Sequence, residues 1–320
     1  MSKSFFDLFP PPVFLQMPFV GFSISDTSLR FVSLTKHEHT FVLGDYAEHP
    51  FKEGVVDAGF INQPEEIVAI LKELKKKYSL QFIKITLPEE KAFVFRTQIP
   101  AVSPEEIRGS VEFTIEENAP LSVSEVVFDY MVVPTKNSSE DGKIDVVVSV
   151  VPQKVVDSYL KLCSEAGLFV VSCELESQAI ARCIVRKDDI SSYLILNLER
   201  NKTGFYITTG GAVQFTSTMV ITPNNLSGLC DEISKIYWHT HGDKKGNVKI
   251  SKILLSGEHA GHEGVREYIV SNLGIDVEVA NVWENVFTLD TYVPDLSYKD
   301  SLSFAPAIGL ALPFVSSQLS

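Results

Sequence analysis

The stretch VGFSISDTSLRFVSL, residues 20–34, opens like a hairpin that cradles phosphate. In such a turn, backbone N–H groups and neighbouring hydroxyls, here Thr27 and Ser28, can bond phosphate oxygens. Asp26 in the same turn works against that use, because it adds negative charge where the ligand would bring more. Other candidates for chemistry are few. His259, His262 and Glu263 lie in one short loop, whereas a metal centre needs a further ligand converging from another segment. His37 and His39, in a turn, and His239 and His241, at a helix end, are read as solvated and given no role. The chain has no G-x-S-x-G elbow, no H-E-x-x-H pair and no G-x-x-x-x-G-K-[ST] loop, so no familiar hydrolase, zinc-protease or P-loop chemistry is offered.

Composition narrows the field further. A chain of 320 residues, 45% hydrophobic, has material for about two domains with their own cores. A net charge of -13 with its 28 Lys and Arg scattered argues against a general nucleic-acid surface, which needs clustered cations. The one basic run, KELKKKY (72–78), lies on a helix whose other face is apolar and reads as a solvated face. Cys163, Cys173, Cys183 and Cys230 form no C-x-x-C pair and read as buried free thiols of a reducing compartment. The longest apolar run, FAPAIGLALPFV (304–315), is too short for a bilayer and no leader is recognised, so a soluble, cytoplasmic protein is expected.

The elements that must position these residues come in two similar sets. An arm over residues 1–18, with three consecutive prolines, precedes FVGFSI, LRFVSLTK and TFVLGDYAE, which read as three strands joined by short turns. Pro64 then opens a helix with Ile67, Ile70, Leu71 and Leu74 on one face, and FIKITLP follows as a strand. The same order returns in SYLILNL, GFYITTGG and AVQFTSTMV, with Gly210 and Gly211 at the turn, then a helix over about 225–240, the strand SKILLSG and another helix. Two copies of meander, helix and strand make a duplicated α/β architecture. Between them, residues 89–172 read as an inserted α+β subdomain. There Ser103, Pro104 and Glu106 start one helix, with Ile107, Val111 and Ile115 as its buried stripe. Val155, Val156, Tyr159, Leu160 and Cys163 mark the face of a second, stopped by Gly167.

Several of these stretches carry a family resemblance: FRTQIPAVSPEEIRGSVEFTIEENAPLSVSEVVFDYMVV, VVPQKVVDSYLKLCSEAGL, LLSGEHAGHEGVREYIVSNLGIDVEVANVW and the closing APAIGLAL. The chain resembles, from about Pro18 to Leu312, the PilM family of type IV pilus assembly proteins, actin-like relatives of the cell-division protein FtsA. The resemblance implies a duplicated actin-like (RNase H-like) ATPase fold. It divides the chain into a first half (19–88 and 173–189), the FtsA-type insertion (89–172) and a second half (190–320). It also implies a place on the cytoplasmic face of the inner-membrane platform of a pilus or type II secretion machine. The partner implied is the cytoplasmic tail of a PilN-like membrane-spanning protein, and the ligand between the halves is an adenine nucleotide.

Three loops would hold that nucleotide, and each departs from the family pattern. In the first hairpin Ser23 stands where the resemblance places a metal-directing Asp and Ser25 where it places a Gly, while Asp26, Thr27 and Ser28 complete the turn. In the second, LNLERNKTG, Asn197 replaces Asp and Glu199 replaces Gly, with Lys202 available to offset part of the added charge. In the third, Gly257 remains, but Glu258 and His259 occupy the next two glycine positions and would fill the adenosine's space. The expectation is a non-catalytic scaffold with no cofactor and no metal, whose docking groove lies between the insertion and the first half. The alternative is a nucleotide-switched assembly protein in which Lys202, Asp26 and waters replace the usual contacts. A sugar-kinase-like phosphotransferase on the same fold would need a catalytic carboxylate and a glycine-rich adenosine bed, and neither is in place.

Overall fold

The computed structural model describes residues 18–37, 40–133, 142–242, 248–288 and 290–313. The expected arm, except for Pro18, and His39 in its turn lie outside them, as does most of the polar loop PTKNSSEDGK.

The first half begins with an antiparallel meander of β1 (Phe19–Ile24), β2 (Ser28–His37) and β3 (Thr40–Pro50). A small hairpin, β4 (Val56–Asp57) with β5 (Phe60–Ile61), turns at Ala58 and Gly59, both at positive φ. Helix α1 (Pro64–Tyr78) takes Pro64 at its first turn and buries Ile67, Ile70, Leu71 and Leu74, as the spacing requires. Strand β6 (Phe82–Leu87) then lies parallel to β1.

The insertion is a compact layer of its own. Strands β7 (Phe93–Pro100), β8 (Val126–Val133) and β9 (Lys143–Pro152) form an antiparallel sheet in the order β7-β9-β8, covered by α2 (Pro104–Asn118). The Glu106 carboxylate accepts from the Ser103 N–H at 3.2 Å and from its hydroxyl at 2.8 Å, fixing the start of α2. Val111 and Ile115 bury against Ile99, Phe128, Val146, Val148 and Val150, with Ile107 partly buried beside them.

Helix α3 (Gln153–Glu165) and β10 (Phe169–Leu175) correct the expected boundary. Their residues Val155, Val156, Tyr159, Leu162, Cys163 and Leu175 bury in the core of the first half, with Phe22, Phe31, Leu71 and Ile83. Strand β10 completes the first sheet by pairing parallel to β6, giving the order β10-β6-β1-β2-β3. The insertion proper therefore ends near Pro152, not at 172. Helical spacing reports that a face is apolar, but not which sheet it covers. A second correction concerns α4 (Glu176–Ile184): Ile180, Ala181, Cys183 and Ile184 join the core of the second half, not the first.

The second half repeats the plan with β11 (Ser192–Leu198), β12 (Thr203–Thr209) and β13 (Ala212–Met219), then α5 (Leu226–Gly242), β14 (Ile250–Ser256), α6 (Val265–Leu273) and β15 (Val277–Val279). Its order β13-β12-β11-β14-β15 has the same pairing pattern as the first sheet read from β3, so the duplication read from the sequence is present. After the short α7 (Tyr298–Ser301), the buried helix α8 (Ala305–Ala311) returns to the first sheet.

Small residues make that return tight. A Cβ at Gly21 of β1 would lie 2.7 Å from the Ala311 backbone nitrogen, and one at Gly309 would lie 2.6 Å from the Ala179 carbonyl carbon of α4. Arg182 of α4 pairs with Glu174 and donates to the Gly309 carbonyl at 3.0 Å, while the buried Lys84 ammonium donates to the Leu312 carbonyl at 3.2 Å. The insertion rests on both halves: Arg96 of β7 donates to Gln214 of β13 at 3.4 Å, and α3 packs beside β8 and β9. Among the described residues no helix is long and apolar enough to cross a membrane.

Candidate functional site

The cleft between the halves is built where two equivalent hairpin turns face each other. In the β1–β2 turn, the Ser25 hydroxyl accepts from the Thr27 and Ser28 N–H groups, each at 3.3 Å, and donates to the Ser28 carbonyl at 3.3 Å. The N–H groups that would cradle phosphate are thus satisfied inside the turn. Ser23 is buried in β1 and alternates with the core residues Phe22 and Ile24, which puts it on the sheet face shared with Gly21. Asp26 points outward and is fully engaged: one oxygen accepts from the Gly59 N–H of the β4–β5 hairpin at 3.1 Å, the other from Lys202 at 3.2 Å.

Lys202 comes from the opposite turn, between β11 and β12. It is 8% exposed and its ammonium reaches three carboxylates: Asp26, Glu90 and, at 3.5 Å, Glu199. Asp26 and Glu90 belong to the first half, Glu90 being carried by the single turn Glu89–Lys91 that follows β6. Burial alone works against a charged Lys202, but Glu199, Glu90, Glu176 and Asp26 together outweigh it and raise its pKa above the ordinary lysine value. The carboxylates outnumber the cation, and two buried ones beside the cage, Glu89 and Glu176, resist ionisation. Burial lifts Glu89 to about 7 against the hydrogen bonds from Ser177, and burial with Glu199 nearby raises Glu176 well above the carboxylate range.

The third loop closes the remaining side. Gly257 sits at φ 93°, where an added Cβ would lie 2.7 Å from both the Asn197 side-chain oxygen and the Leu198 carbonyl. Its glycine is therefore required by packing against the end of β11. Asn197 donates to Glu199 at 3.4 Å. Glu258 pairs with Arg200 at 2.8 Å, and although partial burial opposes it, Arg200 holds the Glu258 carboxyl below the usual range. His259 and His262 approach ring to ring at 3.0 Å, and no three His, Cys, Asp or Glu among the described residues are arranged to hold a metal ion.

The sequence-derived positions thus divide into groups. Asp26, Glu199 and Lys202 meet in one cage, with Asn197 and Gly257 behind it; Ser25, Thr27 and Ser28 bond to one another; Glu258 lies to one side with Arg200. Sequence reasoning missed Glu89, Glu90, Glu176, Tyr159 and Gly59. Tyr159 of α3 donates to the Gly59 carbonyl at 3.3 Å and so holds the small hairpin over Asp26. The paired acids of LPEEK, directly after a strand, were the one signal available for Glu89 and Glu90.

The fold family implies a magnesium nucleotide here, and the residues do not fit one. The space among Asp26, Gly59, Glu90, Tyr159, Glu176 and Lys202 is about 10 Å³. That is about enough for one water molecule. A phosphate entering it would face carboxylates already in excess, at about 4 kcal/mol for each pair of charges about 4 Å apart in an effective dielectric near 20.

Comparison with known proteins places this geometry in a lineage. The family "Type IV pilus assembly protein PilM" matches residues 21–225. Among solved structures, the chain is similar to one of a "PilM-PilN type IV pilus biogenesis complex", with 18% identity over 92% of this chain and 98% of that one and a TM-score of 0.79. It is also similar to the ethanolamine utilization protein EutJ from Carboxydothermus hydrogenoformans, with 12% identity over 91% and 88% of the two chains and a TM-score of 0.50. No curated protein sequence matches. The fold is that of the actin-like ATPases. With two paired sheets in one order, an insertion after β6 and a match spanning more than half its length, this chain belongs to the PilM family of type IV pilus assembly proteins.

Proposed function

We propose that this protein is a non-catalytic, nucleotide-independent scaffold of the inner-membrane platform of a type IV pilus or type II secretion machine. It sits on the cytoplasmic side, held there by the cytoplasmic tail of a PilN-like bitopic protein. The observation that carries the reading is Lys202 seated among Asp26, Glu90 and Glu199, which fills the cleft with the chain's own charges. Membership of the family and similarity to the PilM-PilN structure support the assembly role and the kind of partner.

The tail docks on the insertion and its groove against the first half. The insertion exposes apolar side chains on both faces: Val127 of β8 lies on the sheet face of Val151, toward the first half, while Val132 and Phe113 lie on the side covered by α2. Two or three apolar anchors, each contributing roughly 1.5–3 kcal/mol, suffice for micromolar recruitment once ordering costs are subtracted.

Calorimetry with two titrants tests the reading. MgATP should bind no tighter than millimolar, while a synthetic peptide of the partner's cytoplasmic tail should bind in the micromolar range. Micromolar binding of MgATP would replace the scaffold reading with a nucleotide-switched one. Failure of the peptide to bind would remove the proposed partner.

A further inference from the structure

We propose that the cleft is a binding site for a primary ammonium group, that Lys202 is its tethered occupant, and that this occupant latches the two halves in the closed position. The inference rests on the cage geometry and not on the pilus reading.

The occupant already present, the Lys202 ammonium, defines the class of cation. Lys202 Nζ stands 3.2 Å from Asp26 and 3.5 Å from Glu199, with Glu90 as its third partner. These are separations at which an ammonium meets carboxylates. Magnesium needs oxygens at about 2.0–2.1 Å in near-octahedral array, and calcium at about 2.3–2.6 Å. No three acidic, His or Cys side chains among the described residues are arranged to share a metal ion. Two of the three ammonium protons go to Asp26 and Glu90, and the third donor of a lysine remains for Glu199, which stands at ion-pair distance.

Two further features mark a built site. Glu199 Oε2 is buried and has no hydrogen-bond partner, so the ion pair with Lys202 is what it faces. Asp26 is held from behind by the Gly59 N–H, and Gly59 by Tyr159, so a carboxylate, a hairpin and a helix of the first half are aligned on an ammonium supplied by the second. Asp26 and Glu90 lie on one side of the cleft and Lys202 and Glu199 on the other. Withdrawing the cation leaves like charges facing each other across it, which drives the halves apart.

The test is replacement of the tether by a free ligand. Lys202→Ala removes Cγ, Cδ, Cε and Nζ, the heavy atoms of propylammonium. The variant should melt roughly 10 °C below the parent, as expected when one partner of a buried ion cluster is removed. Propylammonium chloride at tens of millimolar should restore at least half of that loss. Methylammonium, sodium and magnesium chlorides at equal ionic strength should restore less, and the parent should not respond. Spin labels at exposed Glu53 and Asn224, one on each half, should show a broader distance distribution in Lys202→Ala, narrowed again by propylammonium.

Rescue by magnesium equal to that by propylammonium would make the cage a metal site and overturn the proposal. So would an unchanged melting temperature, or rescue without any dependence on amine length. Should Lys202→Ala not fold, its refolding yield with propylammonium against sodium reads the same selectivity. Asp26→Asn, which removes one partner across the cleft, should then melt below the parent; an unchanged melting temperature would refute the latch.

Discussion

Replacing Glu89 by glutamine should change the pH dependence of stability. Glu89 Oε2 accepts from the Ser177 N–H and Oε1 from the Ser177 hydroxyl, both at 3.0 Å, at the start of α4. Burial, opposed by those bonds and by one from Thr216, lifts its pKa from 4.5 to about 7. The native chain therefore keeps a proton that the unfolded chain releases above 4.5. The stabilisation is complete below pH 4.5 and is lost as pH rises through about 7. That interval, at about 1.4 kcal/mol per pH unit, is worth about 3 kcal/mol. In Glu89→Gln the amide oxygen accepts from the Ser177 N–H and the amide nitrogen donates to the hydroxyl, so the bonds are kept and the titration is removed. Urea unfolding at about pH 4.5 and about pH 8 should show the variant gaining about 3 kcal/mol on the parent between the two. Glu176 is raised by burial, by Glu199 and Glu90 and in part by the Glu89 charge, so removing that charge eases its ionisation and shifts the comparison in the same direction. Parallel pH profiles would show that Glu89 ionises freely in the native state and would refute the reasoning.

Two more outcomes follow from packing and burial. Gly309→Ala, whose Cβ would lie 2.6 Å from the Ala179 carbonyl carbon, should lose about 3 kcal/mol in urea unfolding. Gly109→Ala, with open space at its helix position, should gain about 0.5–1 kcal/mol. Burial, against the pull of Glu174, lowers the Lys84 pKa to about 8, so the unfolded chain holds that proton more tightly and the Lys84 contribution to stability should rise with pH between 8 and 10.5, opposite in sign to that of the buried thiols. Unfolding of Lys84→Met at pH 8 and 10.5 should lack that rise.

What the sequence made legible is local. Alternation in FVGFSI and SYLILNL, Pro64 at the head of α1 and the Ser103–Glu106 pair each act over a few residues, and all are found where expected. The departures of Ser25, Asn197, Glu199 and Glu258 from the resemblance were likewise readable one by one. Two things were not readable. The partners of α3 and α4 were hidden because an apolar stripe does not name the surface it meets. The Lys202 cage was hidden because its members lie far apart in the chain, with Asp26, Glu90, Glu176 and Lys202 sharing no spacing. Lys202 was visible as a charge that offsets Glu199 and, with Asp26, as a substitute nucleotide contact; its pairing with Asp26 and Glu90 is set by how two sheets close on each other.

The crossing of α4 and α8 bears on how copies of this protein can associate. Partners that exchange halves generally do so by opening one hinge segment and closing it on a neighbour. Here the chain leaves the first half through α4 and comes back to it through α8, and the two are pinned where Gly309 meets Ala179. Exchange would have to unseat both crossings and strip Gly21 of its contact with α8 in the same event. Among the described residues, these crossings therefore favour association through surfaces of intact subunits over exchange of whole halves.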